Sequence, residues 1–546
     1  MTIDENTPLV PQASADGAGV SRRRVVKAAA WSAPVVAVVV AAPYAAATTT
    51  ITGIALAPGS CALVAPGATI PAIGMNVTPA AAAAVTLTLT GGYTFASTGT
   101  AVATVTTDAS GHYDIDDVVA PSGVGAAGTI TATAVADSSV TTTATLPAVG
   151  APTYGWGYGA QGQIGNGTTG ETYSTAVAWQ LPAETVAVGS TYSGLAAVTA
   201  DGLLYTVGYN GYGDLANGST SDNNTPAAAL LHGTSTPIDN VVHVSNTSND
   251  EAIVYVRRGD GTWWGAGENN SNSMARIGQP YSGEPTFTGF VQMGLDVLAQ
   301  PGNAGASISW VDISACTGRA STTMAIYTLS DGTVWTAGEG WSRGGSGVGI
   351  GNGVTGIVSG VFQLQTAAGA PVTGMVKAEG VYQSSIMLLD AAGNLWYAGY
   401  DGFTAAAGYS NNGYVQSYPK PEGKTVTDII AAGQFSYYAI TSDGSAYAVG
   451  DNMGGKFGVG AAGNSNAWRK VLLDDVVEIA SGGDGTLFRT GSGEVFFAGV
   501  SDRGQSGNGV NGQQYLTPTK ATSLPGPAIS IASSWWDSHA AVVSLC

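Results

Sequence analysis

Histidine and cysteine are scarce in this chain. Four of the first (His112, His232, His243, His539) and three of the second (Cys61, Cys316, Cys546) are its supply of general bases, thiol nucleophiles and soft metal ligands. A serine nucleophile needs a base and an acid that orients it. None of the four histidines lies in such a motif, and no Gly-x-Ser-x-Gly sits at a strand-to-helix elbow. His539 has no Cys or His neighbour at metal spacing and is expected to be a structural hydrogen-bonding residue. Gly344–Gly349 is glycine-rich like a phosphate loop but lacks the Gly-Lys-Ser/Thr ending. Asp474 and Asp475 are adjacent, and adjacent strand residues point to opposite faces. The two acids of a glycosidase can be far apart in sequence, but nothing here points to a pair. The expectation is a protein without catalytic residues, cofactor or metal.

Asp108, Asp114, Asp116 and Asp117 form an acidic cluster. Calcium gathers several oxygen ligands, yet this spacing matches no calcium loop. Solvated loop carboxylates are expected, with a calcium site as the alternative. Binding chemistry is better supplied. Tyr158, Tyr209, Tyr212, Trp341, Tyr400 and Phe403 each follow a recurrent glycine, and Arg343 lies beside Trp341. Trp535 and Trp536 stand in another connection. Exposed aromatics and arginines anchor interfaces, so the first six and Arg343 are candidate ligand contacts. Packing inside its own loop is the alternative for each aromatic.

The elements that must position them repeat. An aromatic residue, two variable residues and glycine recur as Tyr154…Gly157, Tyr205…Gly208, Trp264…Gly267, Trp335…Gly338, Trp396…Gly399, Tyr447…Gly450 and Phe496…Gly499. The glycines are 51, 59, 71, 61, 51 and 49 residues apart, a period of propellers or solenoids. A turn precedes six of the seven: Asp201-Gly202, Asp260-Gly261, Asp331-Gly332, Ala392-Gly393, Asp443-Gly444 and Ser492-Gly493. Asp-Gly between apolar runs predicts a hairpin in which both central residues take positive φ. Trp264, Trp335 and Trp396 are expected in the core between repeats.

Further upstream, each repeat has a short apolar strand ending on a small residue, such as Val186–Gly189, Ile479–Gly482 and Ile531–Ser534. Tyr154–Gly157 lacks an upstream hairpin, and the last hairpin half, near Ala540–Leu545, lacks an outer strand. Each completes the other if the two ends pair and close a ring, which protects edge strands.

Trp156-Gly157-Tyr158-Gly159-Ala160-Gln161-Gly162-Gln163-Ile164-Gly165-Asn166-Gly167 resembles the regulator-of-chromosome-condensation repeat, Trp-Gly, a spacer, then Gly-Gln-Leu-Gly-x-Gly. Gly208–Gly218 and Gly499–Gly509 are similar, and Gly450–Gly460 more loosely so. The repeats at Gly267, Gly338 and Gly399 depart from it after the first glycine, and 268–311 is the most irregular segment. The resemblance covers about residues 151–546 and implies a seven-bladed β-propeller.

Residues 48–150 are rich in Thr, Ala and Val, with period-two runs such as Val85–Thr90 and Thr129–Ala134. About seven short strands in this length suit a β-sandwich, and the segment resembles bacterial immunoglobulin-like modules. The expected fold is therefore all-β: an immunoglobulin-like sandwich, then a propeller closed by its two ends.

Residues 1–47 read as an export signal. Ser21, Arg22, Arg23 and Lys27 resemble the twin-arginine motif, the apolar run Ala28–Ala47 follows, and Ala45-Ala46-Ala47 offers a cleavage site. Retention as a membrane anchor is the alternative. Cleavage leaves 14 basic and 34 acidic groups, a net charge of −20. So few cations oppose nucleic-acid binding. At most one disulfide can join three cysteines.

The function expected is a noncatalytic, exported or cell-surface bacterial binding or adhesion protein whose propeller loops meet an extracellular protein or glycan. The alternatives are an inhibitor of a secreted enzyme such as a β-lactamase, as the repeat resemblance permits, and an unrecognised hydrolase. Export and charge both oppose the nuclear role of the repeat's namesake.

Overall fold

The computed structural model describes residues 50–546, apart from 59–62, 65–66, 122–126, 150–151, 247–251, 270–271, 277–285, 316–322, 341–357, 382–384, 400–412, 434, 537 and 544–546. All three cysteines, the export-signal residues Ser21, Arg22, Arg23 and Lys27, and the candidate contacts Trp341, Arg343, Tyr400 and Phe403 lie outside the described residues. The described elements are nearly all strands; one single-turn α-helix spans Leu295–Leu298.

Alternation builds the N-terminal part. Val85, Leu87 and Leu89 of Ala84–Leu89, and Ile130, Ala132 and Ala134 of Thr129–Ala134, are buried, while the threonines between them face out. These strands belong to a four-stranded sheet with Val102–Thr106 and Thr141–Thr145. A three-stranded sheet of Gly53–Ala57, Ile73–Thr78 and His112–Ile115 shares its core through Met75 and Val77. Thr131–Thr143 and Thr133–Thr141 hydroxyl pairs, both 3.0 Å, tie the outer face across strands.

Among the described residues from Thr153 to Val543 the strands form seven four-stranded antiparallel sheets and one small two-stranded one, Gln365–Ala367 with Ala370–Pro371. Six of the seven follow chain order, as in Thr185–Ser190, Gly194–Thr199, Leu204–Gly208 and Asn223–Ala228. The other combines both ends of the region: Thr153–Gly159 pairs with Ser538–Val543, placing Trp156 opposite His539. First strands lie side by side from sheet to sheet, Thr185–Ser190 against both Val241–Val244 and Ala528–Ser533.

Each recurrent glycine lies within two residues of the end of the third strand of its sheet, at φ between 95° (Gly157) and 127° (Gly499). Only glycine adopts that conformation without strain. A Cβ on Gly450 would also lie 2.0 Å from the Phe435 carbonyl oxygen on the paired strand. Gly450→Ala should therefore destabilise the fold by about 2–3 kcal/mol, read by denaturant unfolding. A loss below about 0.5 kcal/mol, the level of an ordinary surface change, would contradict this account.

The glycine-rich connections join neighbouring sheets. Gly167, Gly218, Gly460 and Gly509 each donate a 2.8 Å hydrogen bond, to Asn224, Thr288, Leu516 and Ser174 carbonyls of the next sheet's outer strand. Gly162 and Gly504 approach the same outer strands so closely that a Cβ would lie 2.5–2.6 Å from backbone atoms. The repeat motif is thus a seam between sheets.

Three expectations need correction. In the hairpins only the glycine has positive φ (Gly202 79°, Gly261 87°, Gly332 80°). The aspartate stays in the ordinary region and its carboxylate shapes the turn instead, Asp260 Oδ1 accepting from Thr262 N at 2.9 Å and Asp331 Oδ1 from Thr333 N at 2.9 Å. Trp335 is buried as expected, but Trp264 and Trp396 are only half-buried. Their indole N–H groups reach Thr262 and Asp390 at the turns, and the neighbouring Trp263 and Tyr397 fill the core. His539 makes no hydrogen bond through either ring nitrogen; it is wholly buried against Trp156 and Phe497. Burial pushes its pKa down to about 3, so the ring serves as a neutral packing group.

A polar belt links the first strands. In most of them a β-bulge near the start sets the residue that follows against its neighbours. His243 touches Trp310 (5.3 Å), Lys377 Nζ lies 4.5 Å from the Trp310 ring centre, and Lys377 pairs with Asp428 at 2.9 Å. Two residues further on, Asp312 accepts from Gly380 N (2.6 Å) and Glu379 from Ala431 N (3.1 Å), each on the next first strand.

Candidate functional site

Within each repeat sheet, the turn between the first two strands and the connection between the last two emerge on the same side. Tyr209 and Tyr212 lie in connections of the second kind, Tyr158 near the end of the third strand that leads into one, and Trp535 and Trp536 in a turn of the first kind. The antiparallel order therefore gathers all five on one face.

Tyr158 is half-buried and does not stand alone. It stacks on Trp536 at 6.0 Å and 26°, and the Arg503 guanidinium lies 4.6 Å from its ring centre. Ser538 Oγ donates to the Tyr158 carbonyl at 2.6 Å, fixing the backbone beneath. Beside this stack is a cleft of about 340 Å³. Its wall combines Trp535, Trp536, Arg503 and Gln505 with Asp451, Lys456, Asp484 and Asp502. Trp536 is 40% exposed.

Tyr209 and Tyr212 join Tyr192, which sequence reasoning did not single out. The three rings meet edge-to-face with centroids 5.9–6.3 Å apart, so they pack on one another as well as facing outward. Between the two aromatic groups, Gln163 Nε2 reaches Gln161 Oε1 (3.1 Å) and Ser193 Oγ (3.3 Å). The face thus carries a continuous arc from the cleft to the tyrosines.

One position of the repeat motif varies in chemistry. It is Gln163, Asp214, Lys456 and Gln505 in turn. The two glutamines fold back, Gln163 Oε1 accepting from Gln161 N at 2.9 Å and Gln505 Oε1 from Arg503 N at 2.7 Å. Asp214 is one methylene shorter and wholly buried. Thr191 Oγ1 and the Tyr192 N–H lie nearest, but neither carboxylate oxygen attains hydrogen-bond geometry. Burial pushes the Asp214 pKa up to about 6.

Buried carboxylates elsewhere are engaged in holding the fold. Burial first, and the Glu379 carboxylate second, push Asp312 well above the usual range. Its oxygens accept from Tyr255 Oη (2.8 Å) and Gly380 N, and those of Glu379 from Lys377 Nζ and Ala431 N. In the N-terminal acidic cluster, Asp108 Oδ1 accepts from Ser110 N and His112 N, both 2.9 Å, and Asp117 from Ser97 Oγ. Among the described residues, no group of three or more His, Cys, Asp or Glu side chains is placed to hold a metal ion.

Of the residues singled out, Tyr158, Tyr209 and Tyr212 share the arc; Trp341, Arg343, Tyr400 and Phe403 lie outside the described residues. Arg503, Asp502 and Lys456 were missed as site residues because they sit inside the repeat motif, where they read as spacers.

No family model matches the chain. A stretch of 124 residues is 35% identical to the E3 ubiquitin-protein ligase HERC2 of Homo sapiens, and equally to that of Mus musculus, covering 21% of this chain but only 2% of those proteins. In fold the chain is similar to human WBSCR16, with a TM-score of 0.55 and 17% identity over 72% of this chain and all of that one. It is similar also to yeast RCC1 (Prp20) in complex with Kap60, with a TM-score of 0.55 and 14% identity over 73% of this chain and 90% of that one. Prp20p from Saccharomyces cerevisiae matches with a TM-score of 0.55 and 13% identity, over 73% and 92%. The repeat region is thus an all-β propeller of the RCC1 type.

Proposed function

We propose that the chain is a noncatalytic, exported or cell-surface binding protein whose propeller presents its aromatic loop face to a protein or glycan ligand. The observation that carries this reading is the arc from Trp536, Tyr158 and Arg503 to Tyr192, Tyr209 and Tyr212, set on one side of a rigid sheet scaffold. Loops on rigid scaffolds carry recognition, and half-exposed aromatics beside an arginine are strong anchors. Protein binding by propellers of this shape supports it: yeast RCC1 has been solved bound to Kap60, and Prp20p is described with binding properties to Gsp1p and histones.

The finer organisation belongs to the same proposal. Residues 1–47 act as a twin-arginine-type export signal, 48–150 form an immunoglobulin-like spacer, and 151–546 form a closed seven-bladed ring. The two sheets sharing one N-terminal core and the pairing of Thr153–Gly159 with Ser538–Val543 support the last two assignments.

The test is capture of surface and secreted material of the source organism on the purified full chain, beside the double variant Tyr158→Ala/Tyr209→Ala. A specific ligand should lose about tenfold or more in retention, since two anchors at about 1 kcal/mol or more each are removed. Equal retention by a folded double variant would overturn the assignment of this face.

A further inference from the structure

Resting on that reading, we infer that the cleft beside Trp536 binds a neutral sugar, a β-linked pyranose of the glucose type within a longer glycan. Charge in the cleft is nearly balanced. Asp451, Asp484 and Asp502 share the cleft with Lys456 and Arg503, a near balance in a small space. An anionic ligand meets three carboxylates there, and a cationic one meets two cations. A polyol carries no charge, and each of its hydroxyls both donates and accepts, so it suits a wall of both kinds.

The wall also leaves polar groups open. Asp502 Oδ1 accepts from Gln505 Nε2 at 2.9 Å and Asp451 Oδ1 from Met453 N at 3.2 Å. The second oxygen of each has no partner among the described residues and can take a hydroxyl proton. The Arg503 guanidinium carbon lies 4.6 Å from the Tyr158 ring centre; among the described residues its side-chain N–H groups make no hydrogen bond or ion pair, and they can donate. Three fixed groups around one ring give orientation as well as affinity.

The floor is aromatic. Trp536 is backed on one side by Tyr158 at 6.0 Å, which sets the indole plane, and it remains 40% exposed. Trp535 lies beside it, its carbonyl accepting from Gly483 N at 3.0 Å. A pyranose with equatorial hydroxyls presents a flat face of C–H groups, the surface an indole covers. The volume, about 340 Å³, lies at the small end of ligand sites, about 300–1,000 Å³, and suits one or two sugar rings.

The experiment titrates the full chain with cellotetraose, with a galacturonic acid tetramer and a glucosamine tetramer as charged comparisons, followed by calorimetry and tryptophan fluorescence. Cellotetraose should bind saturably and better than either charged tetramer. Trp536→Ala, with its thermal unfolding checked, should weaken it about tenfold or more, and Trp536→Phe should restore most of that. Val102→Ala, at an exposed strand position of the N-terminal part, should leave sugar binding unchanged. Absence of saturable binding, preference for a charged tetramer, or indifference to Trp536→Ala would each overturn the inference. If a captured protein depends on Tyr158 and Tyr209 while cellotetraose neither binds nor competes, the sugar assignment falls and the face assignment stands.

Discussion

Lys377→Met should destabilise the propeller by about 4 kcal/mol at neutral pH, the range for removing one partner from a buried ion pair. Lys377 is 15% exposed and sits between Glu379 (3.1 Å) and Asp428 (2.9 Å), also donating to the Ile429 carbonyl at 2.7 Å. Burial alone would depress its pKa; the two carboxylates overcome this and hold it above the usual lysine value. Methionine keeps the apolar stem over Trp310 but leaves Glu379 facing Asp312 and Asp428 with no cation. Lys377→Met/Glu379→Gln should recover most of the loss, because the amide needs no counter-charge and can still accept from Ala431 N. The single variant should also regain stability on acidification. Its Glu379 would have a pKa raised further above the unfolded value, so the penalty is present at high pH and lifts as pH falls through the folded pKa. Denaturant unfolding of both variants at pH 7 and pH 5 decides it. A single-variant loss within about 1 kcal/mol, typical of exposed pairs, would show that the belt does not hold the first strands together.

That belt was illegible in the sequence, whereas the sheets around it were not. The recurrent glycines stand out because each adopts a φ between 95° and 127°, and at Gly208, Gly267, Gly450 and Gly499 a Cβ would also meet backbone atoms, a demand only one residue type meets. His243, Trp310, Lys377 and Asp428 occupy one register position but share no chemistry. Each needs only to suit its neighbours, so periodicity leaves no trace, and the bulge before each shifts the register that alternation would follow. The same reasoning explains the half-buried Trp264 and Trp396. The aromatic-x-x-Gly pattern marks the strand correctly, but the strand's pleat sends the adjacent Trp263 or Tyr397 inward.

The candidate site was half legible. Tyr158, Tyr209 and Tyr212 could be picked out because each follows closely on a recurrent glycine, although Tyr158 still belongs to its strand. Tyr192 lies in a first-to-second-strand turn, which carries no repeating signal. Arg503 meets Tyr158 only because Thr153–Gly159 pairs with Ser538–Val543 and brings connections about 345 residues apart together. Asp214 was hidden by the motif itself. Its position takes glutamine in two repeats and lysine in another, and only the geometry reveals that the shorter side chain is left without a hydrogen bond.

Acidification should weaken the fold through two histidines, by about 4 kcal/mol together between pH 7 and pH 5. His539 is pushed down to about 3 by burial, and His243 to about 4 by burial first and then by Lys377 and Arg257. Unfolding returns each to about 6.5. The unfolded chain therefore binds protons that the folded chain refuses, and stability falls as pH drops below about 6.5, levelling near 4 for His243 and near 3 for His539. Each contributes about 2 kcal/mol by pH 5. Asp214, pushed up to about 6, runs the other way: its buried charge costs stability above that pH and the cost lifts as pH falls. The wild-type profile mixes these signs, so the variants carry the test. His539→Leu changes the packing against Trp156 and Phe497 at every pH, but its pH 7 to pH 5 difference should be smaller than wild type by about 2 kcal/mol. His243→Leu should flatten the profile by a similar amount, and the double variant by the sum, since the two rings share no contact and distant sites add. Asp214→Asn should do the reverse and steepen the acid loss. Were His539→Leu to leave the pH dependence within about 0.5 kcal/mol of wild type, the ring would have to be reaching water or a partner in solution, and its role as a neutral core residue where the two ends of the repeat region pair would be wrong.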